Sequence, residues 1–432
     1  MGTRMVKNRF GMLILGLIAV SVGFAQESLT IDQALQRAKE RNGTVQSAIL
    51  SYRAAQKNAQ SAYSAFLPTV TPSVSREWGT SDILTGPFRG NTDLNTTNAA
   101  INVNWRLLDD GTRQDTFDRA KIGARSSEFS SLQTLRNTLF GVHQRFYDAL
   151  RTQELLRVQA DNLKRAQEIL DQTKFRANPP IEDVPKKDIL QAEADFQNAR
   201  VSVLQAENRV FTSAADLKAV LAWDEQNLPE LVKPTPQQLP VLDMTLQEAI
   251  VRGLDNRADL AATRERVRSQ QLNVRTAKRE SFLQYTLDAG YRRVFADDPF
   301  QRAALTFSAS LPLYDGERTK TLVDAERLTL ASLEASLEQD ERVVRSEVES
   351  AYTEYGQNRL RFEASQAALK AAEVNYNAAV EAQREGAGNL IQVLTARVSL
   401  TTAESNVVEA TYDLLISDVR LRLVTGQSLP GE

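Results

Sequence analysis

One histidine, no cysteine and 55 carboxylates are what this 432-residue sequence offers for chemistry. The lack of cysteine excludes a thiol nucleophile, a disulfide framework and a lipid carried on an amino-terminal cysteine. His143 stands inside a helical repeat, and a single imidazole without partners makes no metal site. No glycine-rich stretch has the spacing of a phosphate loop. Asp and Glu alternate with Lys and Arg along helical segments, which is the pattern of solvated faces. These residues predict no enzyme, no cofactor and no metal, and the charge balance gives no footprint for nucleic acid. What is left to the charged groups is electrostatics, and its use depends on the elements that carry them.

The chain begins with the three parts of an export signal. Arg4, Lys7 and Arg9 form a basic start, 12–22 is apolar, and Gly23-Phe24-Ala25 fits a small-x-small cleavage site. The apolar run is shorter than the ~20 residues a spanning helix needs. Residues 1–25 are therefore expected to be a signal peptide, a retained anchor being the alternative. Their removal leaves 49 basic and 55 acidic residues, a charge of −6.

An internal duplication sets the organisation. Leu29-Thr30-Ile31-Asp32-Gln33-Ala34-Leu35 returns as Met244-Thr245-Leu246-Gln247-Glu248-Ala249-Ile250. Phe66-Leu67 returns as Phe282-Leu283, and Leu107-Leu108-Asp109-Asp110-Gly111 as Leu313-Tyr314-Asp315-Gly316. The first repeat spans 26–227 and the second 243–432, joined by a connector at 228–242 that holds Pro229, Pro234, Pro236 and Pro240. Within each repeat lies a long helical hairpin, 113–222 and 318–426. Leu135, Val142, Ala149, Leu156, Leu163 and Leu170 recur every seven residues, as do Val348, Tyr355, Phe362, Leu369 and Tyr376. That spacing is a coiled-coil seam. The return helices share small seam companions in one order, Ala192, Ala199, Ala206, Ser213 and Ala396, Ala403, Ala410, Ser417. The hairpins are expected to turn near Pro179-Pro180 and near Gly386 and Gly388.

Four segments alternate with period two, at about 67–80, 97–108, 282–296 and 303–313. Ile101, Val103 and Trp105 oppose Asn102 and Asn104; Leu305, Phe307 and Ala309 oppose Thr306, Ser308 and Ser310. Segments of about ten residues with one apolar and one polar face suit a transmembrane barrel, with Trp78, Trp105 and Tyr291 as interfacial aromatics. A soluble sheet with one wet face is the alternative. Four strands cannot close a barrel, and an open edge cannot persist in hydrocarbon, so closure requires several chains. The expected class is an α+β membrane protein built from two structural repeats.

The duplicated Leu-Thr-Ile…Ala-Leu openings, Phe66-Leu67-Pro68, Leu311-Pro312-Leu313-Tyr314-Asp315-Gly316 and the stretch 386–396 together resemble the TolC-like outer membrane efflux protein family, over essentially the whole chain after residue 25. The resemblance implies a homotrimer: a 12-stranded β-barrel in outer-membrane lipid, four strands per chain, continuous with a periplasmic α-helical barrel. It implies a passive channel in a tripartite efflux or type I secretion system, with a periplasmic adaptor protein and an inner-membrane pump as partners. It also implies that the hairpin tips close the periplasmic end, where a ring of carboxylates favours cations. Asp188 matches the first tip. At the second, positions often aspartate in close relatives are Gln392 and Thr395, so the gate is expected to be less acidic. Glu182 and Asp183 add charge at the first turn, with a solvated turn as the equal alternative for Glu182, Asp183, Lys186 and Lys187. The competing function is a secreted or surface coiled-coil scaffold or adhesin without channel activity. Neither barrel faces nor helix seams encode a cargo.

Overall fold

The computed structural model describes residues 28–83, 90–106, 109–177, 185–233, 244–279, 283–295 and 299–432. The expected signal at 1–25, the Pro179-Pro180 turn with Glu182 and Asp183, Phe282, Leu107 and Leu108, and Pro234, Pro236 and Pro240 lie outside these residues.

Each half opens on a capped helix. β1 (Ser28–Leu29) leads into α1 (Ile31–Arg41), where the Thr30 hydroxyl accepts from Gln33 N–H at 3.3 Å and the Gln33 carboxamide accepts from Thr30 N–H at 2.9 Å. This reciprocal capping explains why Thr and a Gln or Glu recur three residues apart, since each satisfies a backbone donor the helix leaves free. α2 (Gly43–Tyr63) then runs to the sheet, where β2 (Thr69–Ile83) pairs antiparallel with β3 (Gly90–Trp105). Next come α3 (Thr112–Arg176), α4 (Lys186–Leu221) and β4 (Glu230–Leu231), which pairs parallel with β1.

The second half repeats the order. α5 (Leu246–Asn256) carries the same cap through Thr245 and Glu248, at 3.3 and 2.8 Å. α6 (Ala258–Arg279), β5 (Gln284–Phe295), β6 (Phe300–Ser310), α7 (Arg318–Arg384) and α8 (Leu390–Val424) follow. α3 and α7, of 65 and 67 residues, are each roughly 100 Å long at ~1.5 Å per residue. Among the described residues no helix is long and apolar enough to cross a membrane, which does not bear on a β-barrel.

The sheet order is β2-β3-β5-β6, so the two halves join at β3 and β5, and among the described residues the outer edges of β2 and β6 are unpaired. Register stacks the apolar residues into rows, such as Val70–Val103–Ala289–Leu305 on one face. Thr69–Asn104–Asp288–Thr306 forms a row on the other. The β2–β3 ladder runs to Ile83 and Gly90, well past the strand ends expected near 80 and 97. Side-chain alternation fades there, but a ladder is held by backbone groups, which pair whatever the side chains are. β6 likewise begins at Phe300 rather than 303.

Buried Asp115 ties α3 to α6: its carboxylate, 1% exposed, accepts from Arg279 Nη1 at 2.8 Å and from Arg275, both on α6. The rings of Tyr63, Phe66 and Phe117 meet beside it at 5.7–5.9 Å. The largest core joins α1, α3, α4 and α8 through Leu35, Leu139, Val142, Phe146, Leu217 and Leu415. His143 is buried there, its Nε2 3.4 Å from the Pro430 carbonyl. Ile250, Val348, Tyr355 and Leu421 form a second core between α5, α7 and α8, with Phe362 packed on it.

The heptad spacing is interrupted along α3. Leu156 and Leu163 are only half-buried, whereas Asn162, Ala166, Ile169 and Thr173 face the core. Leu170, on the same seven-residue series, is buried again beside Ile169, so the register is interrupted at Leu156 and Leu163 and resumes in the core below the turn.

Candidate functional site at the hairpin tips

α7 ends in a turn that requires glycine. Gly386 has φ +75°, its N–H donates to Gln383 O at 3.3 Å, and Ala387 N–H reaches Ala382 O at 2.9 Å. That is a Schellman stop, and its left-handed residue is Gly because a Cβ is strained there. A Cβ on Gly388 would sit 3.0 Å from Gln383 N and 3.1 Å from Ala382 C, so the returning chain passes against the helix end.

α8 starts two residues later under a third capping box. Asn389 Oδ1 accepts from Gln392 N–H at 3.0 Å and Gln392 Oε1 accepts from Asn389 N–H at 3.1 Å. The carboxamide of Gln392 is thus folded onto the helix terminus, although the residue is exposed. Thr395 is also exposed and donates back to Ile391 O at 2.8 Å. On the first hairpin, Asp188 sits half-buried in the first turn of α4, its N–H on Pro185 O at 2.9 Å. A carboxylate there is favoured by the helix dipole.

Two clefts bring these positions together. One, of about 690 Å³, lies between Thr173 and Arg176 of α3, Asp188, and the turn with Gly386, Gly388 and Asn389. The other, of about 590 Å³, lies between Asp188 and Asp195 on α4 and Ile391, Leu394 and Thr395 on α8. Asp188 lines both, Gly386 and Gly388 the first, Thr395 the second, and Gln392 neither. Arg176 Nη1 donates to Gln383 O at 3.3 Å, linking the two tips directly. Beneath the clefts, Ile169, Leu170, Leu390, Val393 and Leu394 form a small core with Tyr376 against it. Burial raises the Tyr376 hydroxyl above its ordinary 10.0, with Arg165 acting the other way.

The residue that sequence reasoning missed is Arg397. Only 3% exposed, it donates to Asp195 Oδ1 and Oδ2 at 2.6 and 2.8 Å and to Asn162 Oδ1. Thr401 Oγ1 donates to the same Asn162 oxygen at 3.0 Å, and one turn along each helix Arg165 grips Glu404 at 2.9 and 2.6 Å. The available signal was a charged residue between seam positions Ala396 and Leu400, with Asn162 intruding on the opposite seam. Among the described residues no group of His, Asp or Glu could hold a metal ion.

The model of the outer membrane efflux protein family matches residues 34–222 and 249–427, one match for each half. The chain belongs to this family. Outer membrane efflux protein BepC of Brucella suis is 24% identical over 423 residues, covering 94% of this chain and 88% of that protein. Outer membrane protein TolC of Vibrio cholerae is 23% identical, covering 72% of each chain. The fold is that of CusC, with a TM-score of 0.81 at 15% identity and 92% of both chains covered. It is also that of the Campylobacter jejuni CmeC outer membrane channel, with a TM-score of 0.80 at 16% identity, covering 93% of this chain and 86% of that one. A member of the efflux family is an outer-membrane channel of efflux or secretion systems and performs no catalysis, so the clefts at the tips are not an active site.

Proposed function

We propose that this channel is a passive trimeric conduit in which three sheets close one 12-stranded barrel through outer-membrane lipid and the helical hairpins continue it as a coiled-coil tube across the periplasm. The observation that carries the reading is the sheet itself. Among the described residues the outer edges of β2 and β6 are unpaired, and one whole face exposes Val70, Val74, Leu305 and Phe307 at 62–77%. An apolar face with open edges is stable in lipid only when other copies close it. The flanks of the hairpins agree: Leu204 and Phe211 on α4 and Leu360 and Val374 on α7 are exposed at 58–75%, as faces awaiting neighbouring protomers would be.

The tips are the periplasmic gate in this reading, with Asp188, Gln392, Thr395, Gly386 and Gly388 at or beside the constriction. Asp188 supplies the carboxylate; Gln392 and Thr395 leave the second tip neutral. A periplasmic adaptor protein holds the tips open, and an inner-membrane pump supplies the energy, since a conduit has none of its own.

Trimers in planar bilayers are expected to conduct ions. Asp188→Asn should lower the cation-to-anion permeability ratio, by about two- to threefold for the loss of one charge per protomer at a water-filled constriction. A heat-modifiable trimer that passes no current would overturn the conduit, while unchanged selectivity in the variant removes Asp188 from the gate.

A further inference from the structure

The polar face of the sheet carries a charge cluster that conduction alone does not require. Strand register sets Arg292 of β5 directly across from Arg302 of β6. Alternation puts both on the face of Asn104, Asp288 and Thr306, away from the face of Val103 and Leu305. Opposed side chains on an antiparallel pair have Cβ atoms about 4.5–5.5 Å apart, and like charges placed there repel.

Both arginines are exposed, and neither has an acidic partner among the described residues. Three other charges of the sheet are engaged. Asp288, four residues from Arg292 on the same strand and face, accepts from Asn104. Arg76 and Arg293 project from the apolar face, over the rings of Trp78 and Phe295 at 5.2 and 5.1 Å. In the row of the arginine pair the neighbouring strands supply only Ala100 and Ser73, so the space before the guanidiniums is not filled from β3 or β2.

The pair sits two residues from Val294 and Phe300, the last partners of its ladder, at the end of the sheet remote from the helices. On the apolar face Tyr291 and Arg293 flank the row of the pair on β5, with Trp78 farther out along β2. Amphipathic rings and guanidiniums mark the boundary of water and lipid. The two arginines therefore lie at the outer mouth.

We propose that Arg292 and Arg302 form an oxyanion-binding site in the channel wall at the outer mouth, one per protomer, which favours cargo bearing a carboxylate, sulfonate or phosphate group. The site rests on the conduit reading, because the polar face becomes a lumen wall only in a closed barrel. Each guanidinium presents a planar fork of N–H donors that matches an oxyanion, and an anion between the two removes their mutual repulsion. Three copies place six cationic groups around the pore, and rings of Arg or Lys bias a pore towards anions. Water screens the site within a Debye length of about 8 Å at physiological ionic strength, so it holds anions weakly and lets them leave. Glu77 lies on the same face of edge strand β2, paired with Thr96 farther out. A neighbouring copy's β2 would lie beside β6, and neutralisation of Arg302 by that Glu77 would abolish the preference.

The test uses the full trimer in planar bilayers under a KCl gradient, comparing wild type with R292Q/R302Q and R292E/R302E at matched trimer yield and heat-modifiability. The anion-to-cation permeability ratio is expected to fall about two- to fivefold in the first variant and further in the second. Inorganic phosphate added on the barrel side is expected to reduce wild-type chloride current and to leave R292Q/R302Q unaffected. Should neither double variant assemble, wild type decides alone, since phosphate without effect from the barrel side overturns the site. A conducting channel whose ratio and phosphate response are the same in wild type and R292Q/R302Q removes the arginine site and leaves the conduit standing. Absence of any wild-type current removes both.

Discussion

Replacing Asp195 with Ala strips the anion from a guanidinium that has almost no access to water. The Arg397 side chain is 4% exposed and that of Asp195 18%, and two of the guanidinium's bonds end on this carboxylate. After the change Arg397 keeps only the neutral Asn162 oxygen, which Thr401 also uses. Removing one partner of a buried ion pair costs about 3–5 kcal/mol, and the partial exposure of Asp195 puts this site near the lower figure. About 3 kcal/mol at ~1.4 kcal/mol per tenfold is about 10²-fold in the population of locally opened tip. Arg397→Met should cost less, about 1–2 kcal/mol, because the carboxylate it leaves behind can be rehydrated. The double change R397M/D195L replaces the pair with apolar groups and should return close to wild type. Hydrogen exchange of the α8 amides 390–401 in the assembled trimer reads all three directly. Their protection should fall in the order wild type, R397M, D195A, with the double variant near the top. A D195A loss no larger than that of R397M, or strictly additive losses in the double variant, would refute the account of a buried, mutually compensating pair.

Two further perturbations probe the rest of the molecule. Burial lowers the pKa of His143 from its ordinary 6.5, with the Pro430 carbonyl and Asp32 acting weakly the other way. The unfolded chain then binds this proton at higher pH than the folded one, so the contribution to stability is whole above about 6.5 and declines as pH falls below it. As the sole histidine it gives a single imidazole NMR signal, and a folded-state midpoint above 6.5 would reverse the argument. On the sheet, Leu305→Arg puts a charge on the apolar face and should cost about 2–4 kcal/mol if that position lies near the bilayer midplane, whereas Thr306→Arg should be tolerated. Denaturant unfolding of folded trimers compares the two, and equal losses would show that the faces are not divided between lipid and lumen.

Sequence alone determined whatever rests on neighbours along the chain. The Thr30–Gln33 and Thr245–Glu248 caps, the alternation in Ile101–Val103–Trp105 and the seven-residue spacing through Val142 and Ala149 are local, and a helix or strand converts each period into a face. Duplication made the signal double, so element types and their order could be read before any contact was known. Tertiary structure decided which of those faces meet. The burial of Asn162 in place of Leu163 depends on how α3, α4 and α8 meet at that level. The grip of Arg397 on Asn162 and Asp195 spans 235 and 202 residues, and no local period marks it. The opposition of Arg292 and Arg302 depends on strand register, where a slip of one residue would send one of them to the other face. At the tips, Gln392 was expected as a neutral residue at a position often aspartate, and the structure adds that its carboxamide closes a helix cap. Residue type alone does not say whether an amide is turned towards solvent or towards its own backbone.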